Sequence, residues 1–187
     1  MNPADICIEK DDLRGEAIAN FLQQHIDDMR AVSPPESKHA LDIEGLRAPE
    51  ITFWTAYSIS AKTDAGKGSD GGKRDAAGDR QIVGCIALKE LPRLHAGKSC
   101  PPALEGEIKS MRVAESFRNR GIAKALVAFV IEQAEMRGYQ CLSLETGSMP
   151  FFKPAQALYG KMGFAECPPF ANYKQDPNSL FLSKRLF

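Results

Sequence analysis

Glu107 to Leu126, EIKSMRVAESFRNRGIAKAL, decides the fold. It reads as a β-strand, a short basic turn holding one glycine, and then an amphipathic helix. Such a turn presents unpaired backbone N–H groups at the positive end of a helix, which is a site for a phosphate or pyrophosphate. Arg118 and Arg120 add positive charge there, and Gly121 lets the backbone approach an anion closely. The strand before the turn carries a carboxylate, Glu107.

Working outward, the periodicity predicts a strand at Ile6-Cys7-Ile8 and a helix over 13–32, with Ile18, Phe21, Leu22, Ile26 and Met29 at helical spacing. Pro34 and Pro35 end that helix, and a second, short helix is predicted around 38–42. Residues 50–60 and 81–88 read as strands. Between them, 61–79 is mostly Gly, Ala, Asp and Lys without one large apolar residue, so it cannot bury surface and is expected to be a disordered loop insertion. The two flanking strands then form a hairpin with a lengthened connection, which costs little because loop closure grows only logarithmically with length.

Residues 105–114 form the strand before the turn. Ile122 to Met136 is a helix with Ile122, Leu126, Phe129, Val130 and Gln133 along one side, closed by Gly138. Residues 140–146 are the next strand, 154–162 a helix ended by Gly163, and 180–186 the last strand. The order is β-α-α-β-β-β-α-β-α-β. Alternation with a central hairpin implies a mixed α/β sheet with helices on both faces.

The 187 residues fit one domain over 1–187. Net charge is zero, so the chain as a whole offers no electrostatic case for nucleic acid or an anionic membrane. The five cysteines include no CxxC pair, and Cys7, Cys85 and Cys141 sit in apolar runs, which suits reduced thiols in a reducing compartment. The first residues carry neither a basic nor an apolar leader region, and no apolar run reaches the length of a membrane span, so a cytoplasmic location is expected. His25, His39 and His95 lack metal-ligand spacing, and no metal is expected. Gly97-Lys98-Ser99 is no phosphate-binding P-loop, because Pro92 stands where that motif needs glycine.

Arg118-Asn119-Arg120-Gly121-Ile122-Ala123 matches [Q/R]-x-x-G-x-[G/A] and resembles the signature of the GNAT superfamily of N-acetyltransferases. The element order matches as well, so the resemblance covers nearly the whole chain and implies a GNAT fold, a mixed twisted sheet of six to seven strands. Ser33 to Ser37, Pro49 to Trp54, Glu107 to Arg112 and Leu142 to Gly147 resemble most closely the YsnE-type branch of small acetyltransferases. Relative to that branch the 61–79 insertion is extra, as is part of 92–103.

The resemblance implies acetyl-CoA as acyl donor, with its pyrophosphate on the backbone of Arg118, Asn119, Arg120, Gly121, Ile122, Ala123 and Lys124. It places the pantetheine arm along Met111, Arg112 and Val113, where this strand and the 140–146 strand splay apart. A bulge near Met111 would free an amide for the thioester carbonyl. Attack needs a neutral amine, so a general base helps. Glu107, 121 − 107 = 14 residues before the turn glycine, stands at the interval of the base in the histone-acetyltransferase branch. Glu145 is the second candidate. Tyr159, in Leu-Tyr-x-x-x-Gly-Phe, matches the general-acid tyrosine that serves the CoA sulfur. Glu36, Ser37 and His39 fall where the family builds its acceptor pocket. An asparagine that many relatives carry about two turns before the tyrosine is absent from Phe151-Phe152-Lys153-Pro154.

The expected activity is acetyl transfer to the amine of a small-molecule or amino-acid-like acceptor, by direct attack in a ternary complex, in a chain that could act as a homodimer. The alternatives are an acyl-CoA sensor or scaffold without turnover, and a protein N-acetyltransferase that uses 61–79 for docking.

Overall fold

A computed structural model describes residues 5–32, 41–59, 80–92 and 104–187. The insertion at 61–79 and the acceptor-side candidates Glu36, Ser37 and His39 lie outside the described residues. The elements run β1 (Ile6–Lys10), α1 (Glu16–Val32), α2 (Ile43–Leu46), β2 (Ile51–Ser58), β3 (Ile82–Glu90), β4 (Glu105–Val113), α3 (Ile122–Met136), β5 (Cys141–Gly147), α4 (Lys153–Lys161), β6 (Ala165–Glu166) and β7 (Ser179–Arg185). All seven strands form one sheet in the order β1-β2-β3-β4-β5-β7-β6. Every neighbouring pair is antiparallel except β4 and β5.

Strand alternation sorts the core onto two faces. Cys85 and Ala87 of β3 join Phe53, Ile18, Leu22 and Leu46 beneath α1 and α2. Ile86 and Leu88 of the same strand join Trp54, Leu126, Val127 and Val130 beneath α3. Phe53 and Trp54 therefore take opposite sides of β2, and Trp54 meets Phe129 edge-on at 5.5 Å. The buried stripe of α3 is Ile122, Leu126, Val127, Val130 and Ala134. Gln133 is half-exposed rather than part of that stripe.

Two further expectations need correction. Of the short helix predicted around 38–42, residues 38–40 lie outside the described residues and Leu41 and Asp42 are not helical; a one-turn helix spans Ile43–Leu46, where the Asp42 carboxylate accepts from Gly45 N at 2.8 Å and caps its start. The sequence reading also passed over β6, a two-residue edge strand too short for any periodicity.

Both helices that carry candidate site residues end in the same way. Gly138, at φ 78°, ends α3, with Tyr139 N bonding Ala134 O and Gly138 N bonding Glu135 O, each at 3.0 Å. Gly163, at φ 87°, ends α4, with Phe164 N bonding Tyr159 O at 3.1 Å and Gly163 N bonding Gly160 O at 3.0 Å. These are Schellman caps, which need a left-handed residue at the glycine position.

Candidate active site

The ladder between β4 and β5 pairs Glu105 with Cys141, Gly106 with Leu142 and Glu107 with Ser143, and goes no further. Beyond Glu107 the strands part. On its other edge, β4 slips register against β3 between the pairs Ala87–Lys109 and Cys85–Arg112. Ser110 takes φ 50° within this bulge, and the Cys85 thiol donates to Ser110 O at 3.1 Å. Burial pushes that thiol up to about 12, so it stays protonated and unreactive at neutral pH. Ala114 N donates to Val83 O at 2.9 Å. Alternation along the strand then turns the Val113 N–H, and the Met111 N–H two residues before it, toward the gap.

A cavity of about 870 Å³ fills this gap. Met111, Arg112, Val113, Arg118, Asn119, Gly121, Ile122, Ala123 and Lys124 line it, together with Glu145 and Tyr159. The geometry of the turn suits an anion. Asn119 and Gly121 are left-handed at φ 61° and 78°. Gly121 is the N-cap of α3, offers no side chain to the first-turn amides, and is followed by no acidic residue in that turn. The orphan N–H groups of the helix start therefore face the cavity without an internal acceptor. Arg120 lies over the Phe117 ring at 5.1 Å and is not among the lining residues. Phe152 packs on Gly147, where an added Cβ would come within 2.2 Å of its ring, so this part of the cavity has an apolar wall.

Tyr159 is buried at the C-terminal end of α4, and its ring meets Phe164 at 5.7 Å. That ring contact is the hydrophobic closure of the Schellman cap, so Gly163 and Phe164 orient the tyrosine. Burial raises its phenol above the ordinary tyrosine range, which keeps it protonated.

A second cavity, of about 1000 Å³, is lined by Glu107, Lys89, Leu91 and the 171–178 segment. Lys109 and Asn178 line both cavities, so the two adjoin there. The Glu107 side chain is 4% exposed and that of Lys109 is 10%, with 3.2 Å between Lys109 Nζ and Glu107 Oε1. The Tyr173 hydroxyl donates to the same Oε1 at 2.6 Å and accepts from Lys109 Nζ at 2.7 Å. Glu145 accepts from Ser179 Oγ at 2.7 Å and borders the first cavity. Tyr173, Lys109 and Ser179 escaped the sequence reading. The first two lie 64 positions apart, and no local pattern links them.

Beneath the bulge, Arg112 reaches across to α1. Its Nη1 lies 2.7 Å from Asp28 Oδ2 and 3.3 Å from His25 Nδ1, and its guanidinium stacks over Phe21 at 5.1 Å. Burial first, and then the Arg112 charge, lower the imidazole to about 4, leaving it neutral. Arg112 thus ties the strand after the bulge to the first helix. No group of three or more His, Cys, Asp or Glu suited to a metal ion occurs among the described residues. No helix among them is long and apolar enough to cross a membrane.

The acetyltransferase (GNAT) family model matches residues 31–164. The chain belongs to this family. It is 45% identical to the uncharacterized N-acetyltransferase YsnE of Bacillus subtilis, over 96% of this chain and 99% of that one. It is 37% identical to the uncharacterized N-acetyltransferase YedL of Escherichia coli, over 96% and 94%. Arabidopsis thaliana NAA60, solved in complex with acetyl-CoA, superposes with a TM-score of 0.64 at 18% identity, over 96% of this chain and 98% of that one. That likeness shows the shared GNAT fold. The chain is accordingly an acyltransferase of the N-acetyltransferase class.

Proposed function

We propose that this GNAT enzyme transfers the acetyl group of acetyl-CoA to the amine of a small, amino-acid-like acceptor, by direct attack in a ternary complex. The observation that carries this reading is the junction of two cavities at Lys109 and Asn178. One cavity runs from the anion-ready turn along the gap beside β4. The other is a separate chamber with a buried carboxylate, Glu107, at its wall.

In this reading the pyrophosphate lies on the amides of 121–124, with Arg118 adding charge. The Met111 and Val113 amides meet the pantetheine arm, and the amide freed at the bulge receives the thioester oxygen. The acceptor enters through the second cavity. Its amine loses a proton to Glu107, directly or through one water, and its lone pair forms the new C–N bond. The C–S bond breaks as Tyr159 donates its proton to the departing thiolate, and the second proton on the nitrogen leaves as the amide forms and reprotonates Tyr159, directly or through water. Glu145 is hydrogen-bonded by Ser179 on the cofactor side and is the alternative base.

Titration calorimetry with acetyl-CoA, followed by thiol release over a panel of amino acids and small amines, tests the proposal. Binding with turnover on one class of amine is the expected result. Binding without turnover on any small amine would overturn the acceptor assignment, and no binding would overturn the cofactor site.

A further inference from the structure

The two candidate carboxylates share an unforeseen feature. Each is held through its Oε1 by a hydroxyl from the polypeptide that follows β6: Tyr173, in the connection to β7, holds Glu107, and Ser179, the first residue of β7, holds Glu145. Phe170, Tyr173 and Phe181 pack together with ring centroids 5.1 to 6.0 Å apart, and this fastens the connection to β7. Ser148 pins its far end, with Ser148 Oγ on Pro177 O at 2.7 Å and Ser148 N on Asn178 O at 2.9 Å.

We infer that Tyr173 is a positioning residue for acetyl transfer, fixing the Glu107 carboxylate so that Oε2 faces the acceptor cavity. The inference rests on Glu107 as the base. Lys109 contributes by donating to the Tyr173 oxygen, while the phenol proton is donated to Glu107 Oε1. Both contacts on the carboxylate fall on this one oxygen, and no described residue hydrogen-bonds Oε2. A base must present a defined lone pair to the proton that it takes, and an unfastened carboxylate would rotate between its two oxygens. The hydroxyl cannot compete as a base itself. Burial, the charge of Glu107 and the hydrogen bond to it all hold the Tyr173 phenol in its protonated form.

A kinetic cycle tests this on the full chain, with acetyl-CoA and the amine from the panel that wild type turns over fastest. The variants are Tyr173→Phe, Glu107→Gln and the double variant, with acetyl-CoA binding measured by calorimetry on each. Tyr173→Phe keeps the ring and its aromatic neighbours. It is expected to lower kcat about tenfold or more, the scale of one charge-assisted hydrogen bond, with the acetyl-CoA dissociation constant within twofold of wild type. The double variant is expected to be no slower than Glu107→Gln alone, since the hydroxyl acts through the carboxylate. Lys109→Met supplies a second variant that should slow turnover and not add to Tyr173→Phe. Unchanged kcat in Tyr173→Phe, or losses that add in the double variant, would overturn the positioning role while Glu107 remained the base. Unchanged kcat in Glu107→Gln would remove the base assignment, and the role of Tyr173 with it.

Discussion

Acidification should unfasten α1 from β4 through one residue, His25. The folded protein holds this imidazole neutral, at about 4 against an ordinary value of 6.5, because of its burial and the neighbouring Arg112. The unfolded chain takes up a proton near the ordinary value. It therefore binds more protons than the native state between these limits, and stability falls as pH drops through them. Each unit of difference corresponds to about 1.4 kcal/mol, so the full span of roughly 2.5 units amounts to about 3 kcal/mol. By pH 5, where most carboxylates remain ionised, about 2 kcal/mol of it should already be lost relative to pH 7.5. Urea unfolding at pH 7.5 and pH 5, on wild type and on His25→Gln, measures this. Glutamine can still accept from Arg112 but takes up no proton. The variant should lose about 2 kcal/mol less than wild type over the same pH step. Parallel losses in the two proteins would refute the reasoning, since the carboxylates common to both would then account for the whole effect.

Three other outcomes are expected. Gly163→Ala should destabilise the fold by about 1–2 kcal/mol in urea unfolding, because it forces a side chain into a left-handed cap. Its new Cβ would also lie 2.8 Å from Lys184 Nζ, and turnover should drop with acetyl-CoA affinity retained, as Tyr159 shifts at the disturbed helix end. Leu126→Ala, at a fully buried position on the inner face of α3, should cost about 2–5 kcal/mol in the same assay; a loss below about 1 kcal/mol would contradict the packing described. In an alkaline absorbance titration, the tyrosinate signal lost in Tyr159→Phe, and that lost in Tyr173→Phe, should come from above the ordinary tyrosine range, because both phenols are raised by burial.

The elements legible in the sequence are those whose pattern repeats. The apolar spacing of α3 spans four turns, and β3 is an unbroken apolar run through Cys85, Ile86, Ala87 and Leu88, buried on both faces. The turn at 118–121 could be read because glycine at a left-handed helix start is a local requirement. Two residues of β6 carry no period, and the start of α2 depended on a single capping carboxylate. The candidate site was legible at the 118–124 turn, where the proposed contacts are backbone groups and a helix start. It was far less so on the acceptor side. The family resemblance singles out Glu107 by its distance from Gly121, and Lys109 lies two residues along the same strand, but Tyr173 comes from a distant segment. Tyr173 stands 66 positions away and reaches Glu107 only because β7 returns beside β5. Long-range side-chain pairing of this kind leaves no mark on a neighbouring stretch of sequence.

The abrupt end of the β4–β5 ladder after Glu107 and Ser143 creates two sheet edges in the interior of one sheet. An outer edge is open to any extended chain, but these two face each other across a slot, and a slender ligand can occupy it as a missing strand would. The protein then carries its own reporter of occupancy. Amides of 109–113 that point into the slot should exchange with deuterium much faster than their neighbours bonded to β3, and acetyl-CoA should slow that fast set selectively. Equal protection on the two sides of β4 before the ligand is added would mean that the edges close on each other in solution.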